Sequence, residues 1–170
     1  MSPNIAFIFD HFRKNAEMIA YIKAHPELCD ELIHASMLNA HDKSWRAAML
    51  LGHFMHKYDT RVQPFVQDFI DFLPTTKSDG HQRQILVILE MLQLNDDHKG
   101  HLFNHCLSIW EEVNKIPSTR YRAFIAMLTI SKDYPELKEE LKHFVTPYYL
   151  QTLSPGVVHA LKKRIKNQLG

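Results

Sequence analysis

Along residues 62–73 the apolar side chains Val62, Phe65, Val66, Phe69, Ile70 and Leu73 recur at i, i+3, i+4, i+7, i+8 and i+11, which is the buried stripe of an amphipathic helix. Pro64 falls in the first turn of that helix, where a missing N–H does no harm. Leu102, Cys106, Ile109, Trp110 and Val113 draw a second stripe, and Leu137, Leu141, Phe144, Val145 and Tyr148 a third. Pro147 stands late in the third and is expected to kink or end it. No stretch alternates apolar and polar residues between hairpin turns, and the chain holds only 5 glycines, so strands have little support. Asp42, Asp79 with Gln82 three residues later, Ser118, and Ser154 before Pro155 are candidate N-caps. Reading outward from them predicts helices over 6–24, 27–39, 43–57, 61–73, 80–93, 99–114, 119–132, 136–150 and 155–168. The fold class is all-α, and without a long linker residues 1–170 are read as a single domain.

Composition narrows this further. With 170 residues, 45% hydrophobic and 23% charged, the chain can bury one real core or form a short repeat array, and disorder is not expected. Lys and Arg number 20 against 19 Asp and Glu, a net charge of +1, which lacks the excess that accompanies bulk nucleic-acid binding. Cys29 and Cys106 lie far apart in apolar surroundings and read as buried thiols of a reducing compartment. "IAFIF" is too short for a signal-peptide core and no apolar run reaches membrane length, so a cytoplasmic chain without a membrane partner is expected.

The chain also echoes itself. "HPELCDEL" at 25–32 returns as "YPELKEEL" at 134–141, and "WRA" at 45–47 returns as "YRA" at 121–123. These separations are about three and about two periods of roughly 36 to 38 residues. An acid-to-arginine spacing keeps the same period: Asp42 to Arg46, Asp79 to Arg83, and Ser118 in the acid's place before Arg122, with Asp10, Phe12 and Arg13 as a looser copy. In "DKSWRAAMLLG", "DGHQRQILVIL", "STRYRAFIAML" and, in outline, "SPGVVHALKKRI", the chain resembles the second helices of HEAT-like, armadillo-type repeats, which open on an acidic cap followed by Arg and small residues. The resemblance covers most of the chain. It implies a right-handed α-α superhelix, a HEAT-like solenoid of about four helix pairs (27–57, 61–93, 99–132 and 136–168) behind an N-terminal capping helix. The physics points the same way, because one helix pair exposes too much apolar surface to stand alone and stacking buries it. Ala47, Ala48, Ala123 and Ala126 would let neighbouring helices approach closely.

The candidate chemistry is that of binding. A carboxylate at a helix start can accept backbone N–H bonds, and an arginine one turn on can bridge to a neighbouring repeat's acid. Alternatively, Arg46, Arg83 and Arg122 offer donors to an external anion. Trp45 and Tyr121 either pack between repeats or present flat faces to a partner's side chain or a nucleobase. Lys162, Lys163, Arg164 and Lys166 form either a solvated helix face or a phosphate-facing patch. The candidate partner-binding residues are therefore Trp45, Arg46, Arg83, Tyr121, Arg122, Lys162 and Lys163.

Twelve histidines require metal binding to be weighed. His98, His101 and His105 share one helical face, and His53 with His56 is a shorter pair, yet no HExxH occurs and a solvated helix surface is the simpler reading. Most of the scattered His11, His25, His34, His41, His81, His143 and His159 are expected to be solvated or capping groups. Catalysis has no foothold: there is no GxSxG, no phosphate-cradling glycine loop, and the adjacent pairs Glu111/Glu112 and Glu139/Glu140 diverge on their helices. Neither a cofactor nor a metal is expected. The resemblance implies a non-enzymatic module that binds a protein partner on a concave face built from the second helices. A nucleic-acid-binding module related to DNA alkylation repair proteins is the alternative. The chain also resembles short helical-repeat proteins, some automatically labelled adenylosuccinate lyase, so association with a purine-biosynthetic lyase is a third. The sequence has neither the long bundle nor the serine-bearing loop of that enzyme.

Overall fold

The computed structural model describes residues 4–39 and 43–169. Among them every regular element is helical: α1 (Ile5–His11), α2 (Asn15–Ala24), α3 (Cys29–Ser36), α4 (Ser44–Phe54), α5 (Val66–Phe72), α6 (Asp79–Glu90), α7 (Asp96–Glu111), α8 (Pro117–Ile130), α9 (Pro135–Lys142), α10 (Pro147–Leu150) and α11 (Pro155–Gln168). Short 3-10 turns at Pro26–Leu28, Gln63–Phe65 and Leu73–Thr75 each hold a proline at the start, where its fixed φ suits a tight turn. The helices fall into two compact units, Met1–Leu94 and Asn95–Gly170. No helix among the described residues is long and apolar enough to cross a membrane.

In the first unit, α3 and α4 form a hairpin, and α4 packs against α6 with α5 folded back between them in sequence. Hydrogen bonds fix the direction of the stack. Near the start of α6, His81 Nε2 meets the Ser36 carbonyl at 2.7 Å, and Asn39 Nδ2 donates to the Thr75 carbonyl at 2.9 Å. Past its end, the Tyr58 N–H donates to the Met91 carbonyl at 2.8 Å, and Gln63 and Gln93 exchange bonds of 2.8 and 2.9 Å. The segments before α4 and before α6 thus meet at one end, and those after them at the other, so the two helices run parallel. Ala47, Ala48, Leu50 and Leu51 of α4 and Ile85, Leu86 and Ile88 of α6 are wholly buried. Each of the larger ones contributes about 1.5–3 kcal/mol by leaving water.

In the second unit, α7 and α8 form the main hairpin, and α8 packs on α9 and α11. Lys99 Nζ lies 2.9 Å from Asp133, and the Tyr134 hydroxyl donates to Asp96 at 2.6 Å, which ties the start of α7 to the end of α8. Trp110 and Phe124, both fully buried, meet at 4.5 Å between ring centroids.

Several sequence expectations need correction. The helix expected over 6–24 is two: Phe12 and Lys14 are extended, and the Phe12 ring packs on Phe7 and Tyr21 instead of continuing the spiral. The helix expected over 136–150 breaks before Pro147, and Trp110 Nε1 donates to the Phe144 carbonyl in the break at 3.1 Å. Ser78, not Asp79, caps α6, its hydroxyl accepting from the His81 N–H at 3.2 Å. Gln82 turns inward to donate to Leu73. Pro117 opens α8 before Ser118, and Ser154 sits at its N-cap position without a side-chain cap bond. The expected caps at Asp42 and the histidine at His41 lie outside the described residues.

Candidate functional site

On α4 the wholly buried Ala47 and Ala48 fix which face is inward, and this leaves Trp45 37% exposed. The half-buried Arg46 lays its guanidinium 5.4 Å from the indole centroid, a cation–π pair on the surface. On the neighbouring α6, Arg83 is half-buried, its Nε has no hydrogen-bond partner, and it makes no ion pair with any described residue. The acid-to-arginine spacing of Asp79 and Arg83 is therefore not an ion pair within α6. Nearby in the same unit, Ile5, Phe9, Ala35, Leu38 and Ala47 line an apolar depression of about 260 Å³, with Asp10 and Lys43 at its rim. Lys43 Nζ lies 3.0 Å from Asp10 and holds that carboxyl below its ordinary range, first by the hydrogen bond and then by its charge.

In the second unit the structure brings together two of the expected residues. Tyr121 on α8 and Lys163 on α11 line one open depression of about 420 Å³, together with Arg164, Asn167 and Ala160. Lys162, Lys163, Arg164 and Lys166 are exposed and form no ion pair with a described residue. Arg122 is half-buried on α8, one residue beyond Tyr121.

The histidine face resolves differently. His98 closes a capping box: Asn95 Oδ1 accepts from its N–H at 2.8 Å, while its ring nitrogen Nδ1 lies 3.5 Å from the Asn95 N–H. His101 is exposed, and among the described residues no three His, Cys, Asp or Glu side chains gather as a metal-ligand set. His53 and His56 are also exposed. His81 is an exception among the scattered histidines, neither solvated nor a side-chain cap: it is 4% exposed, and burial pushes its pKa below 6.5 despite the bond to Ser36.

Two charged groups escaped the sequence reading. Arg120 is fully buried and faces no carboxylate among the described residues. Its Nε donates to the Trp110 carbonyl at 3.0 Å, Nη1 to Thr152 Oγ1 at 2.8 Å and Nη2 to the Tyr149 carbonyl at 2.9 Å, and its guanidinium stacks 4.6 Å from the Trp110 centroid. Burial lowers its pKa. The signal was present, since Arg120, Ala123, Phe124 and Met127 are one helical stripe, but the acid-to-arginine spacing marks Arg122 instead. Asp59, 1% exposed, accepts from Arg61 Nε at 2.9 Å, Arg61 Nη2 at 2.6 Å and the Arg61 N–H at 3.1 Å. These bonds hold its pKa at about 2. They also brace the turn in which Tyr58 sits at φ 60°, a left-handed position costly for a bulky side chain.

A family model described as a HEAT repeat domain matches residues 6–169. No curated protein and no solved structure matches the chain.

Proposed function

The chain belongs to the HEAT repeat family, generally non-catalytic scaffolds that commonly mediate protein interactions, and from that premise we propose that it holds a protein partner on the open faces of its second helices. The observation that carries this reading is the Trp45–Arg46 pair. An exposed tryptophan held by a stacked arginine is the residue combination that dominates protein interfaces, where a flat ring enters a pocket on the partner and the guanidinium pairs at its edge. Arg83, with an unsatisfied Nε on the adjoining parallel helix, supplies a further donor for a partner's carbonyl or carboxylate.

No step of chemistry is assigned to these groups. They bind and orient. The proposal includes a cytoplasmic setting, which the two buried thiols, Cys29 and Cys106, suit. The test is affinity purification of the full chain from its native cell. A companion at stoichiometric yield is expected for the wild type and lost for the W45A/R46A double change, since truncating an interface anchor weakens binding by about 30-fold or more. A companion retained unchanged by the double variant would refute the assignment.

A further inference from the structure

We propose that the Tyr121, Lys163, Arg164 and Asn167 depression of the second unit is a receptor for the carboxylates of an acidic segment of the protein partner. The inference rests on the scaffold reading above and adds the chemistry of what is held.

The charge distribution makes the first part of the case. Residues 141–170 carry five of the chain's 20 basic residues and none of its 19 acidic ones, leaving 15 against 19 for the first 140. A near-neutral total thus conceals a cationic C-terminal segment. Within it, Lys162, Lys163, Arg164 and Lys166 are exposed on α11 without an ion pair to any described residue. Elsewhere in the same unit lysines are used internally: Lys99 with Asp133 at 2.9 Å, and Lys142 with Glu139 at 2.8 Å. Lys132 and Lys138 of this unit are unpaired too among the described residues, but only on α11 do several unpaired cations stand within five residues and line a depression.

Geometry makes the second part. Lys163 and Asn167 are one turn apart on α11, and with Arg164 beside them and Tyr121 of α8 they line one open depression. The set presents an ammonium, a guanidinium fork, a carboxamide and a phenol, all able to donate, with no carboxylate among the described lining residues. Arg164 can take one carboxylate through two N–H groups, Lys163 can neutralise it, and the Tyr121 ring gives an apolar wall for the methylenes of Glu.

Size and charge favour a peptide over a nucleic acid. The depression, at about 420 Å³, suits one or two side chains, whereas a polynucleotide needs a basic track along many phosphates. The remaining 140 residues are net acidic and would repel a polyanion long enough to run beyond the depression, whereas a short acidic segment stays within it.

The test is a titration of the isotopically labelled full chain, followed by amide resonances, with a short oligoglutamate peptide and an oligothymidylate of equal charge. The expected result is saturable, salt-sensitive movement of the Tyr121, Lys163, Arg164 and Asn167 signals with oligoglutamate. The K163Q/R164Q variant should weaken that binding about tenfold, and the charge-matched K23Q/K77Q control, at exposed lysines of the first unit, less than about twofold. Both substituted positions are exposed, so the fold is retained, and an unchanged amide spectrum checks it. Absence of saturable movement, movement centred elsewhere, an unaffected K163Q/R164Q variant, or tighter binding of oligothymidylate at the same residues would each overturn the proposal. A failed titration beside a companion still captured through Trp45 would remove this inference alone. Loss of the Trp45 result beside a successful titration would remove the Trp45 assignment alone.

Discussion

At the scale of single residues, stability turns on three buried polar groups that no motif announced. Arg120 is held by two carbonyls and a hydroxyl without a compensating carboxylate, so two effects oppose each other. Removing the charge relieves a desolvation cost, while removing the donors orphans acceptors at about 1–3 kcal/mol each. With three charge-assisted bonds the second effect wins. Arg120→Met, which keeps volume, should lower unfolding stability by about 2 kcal/mol in urea, and an unchanged midpoint would contradict that. Asp59 and His81 act through pH. A carboxyl lowered from 3.8 to about 2 contributes stability that is complete above pH 3.8 and lost as pH falls toward 2, at most about 2 kcal/mol. A histidine lowered from 6.5 gives up stability earlier. Below pH 6.5 the unfolded chain takes up a proton that buried His81 refuses, so stability falls from there to its own folded value. His81→Gln, which keeps a donor for Ser36, should flatten the slope just below pH 6.5 and leave the one below 3.8, as followed by urea unfolding across pH.

At the scale of elements, periodicity located helices well and their interruptions poorly. Of the stripe expected over 62–73, Val66, Phe69 and Ile70 become the buried face of α5, while Phe65 stays in the 3-10 turn before it. The break at Phe12 depends on a ring finding Tyr21, a contact between residues nine apart that one-dimensional spacing cannot show. Caps failed for a similar reason, since Ser78 and Asp79 are equally good by type and only the backbone at Ser78, extended at φ −138°, selects between them. Glycines inside helices offer a direct check. A Cβ at Gly100, in the interior of α7, would meet nothing within 4 Å. Gly100→Ala should therefore stabilise the chain by about 0.5–1 kcal/mol and raise the Tm by about 1–4 °C in calorimetry. A lower Tm would mean that the helix surface there is already occupied.

At the scale of the whole molecule, the self-echoing segments were the most informative signal, because a repeat imposes one apolar register on every copy. "DKSWRAAMLLG" and "DGHQRQILVIL" become the parallel α4 and α6, stacked as that register requires. The surface was less legible. Trp45 and Arg46 were visible as a pair, but exposure is a property of the fold, and the meeting of Tyr121 with Lys163 and Arg164 joins residues some forty positions apart. The near-zero net charge also hid a C-terminal segment without a single acid. The central claim is that α4 presents Trp45 to a protein. The most direct measurement replaces Trp45 with a photo-cross-linking amino acid and irradiates native cells. One discrete protein adduct, absent when the same amino acid replaces the buried Trp110, is the result expected. Cross-linking to nucleic acid, or no adduct at position 45, would contradict the account.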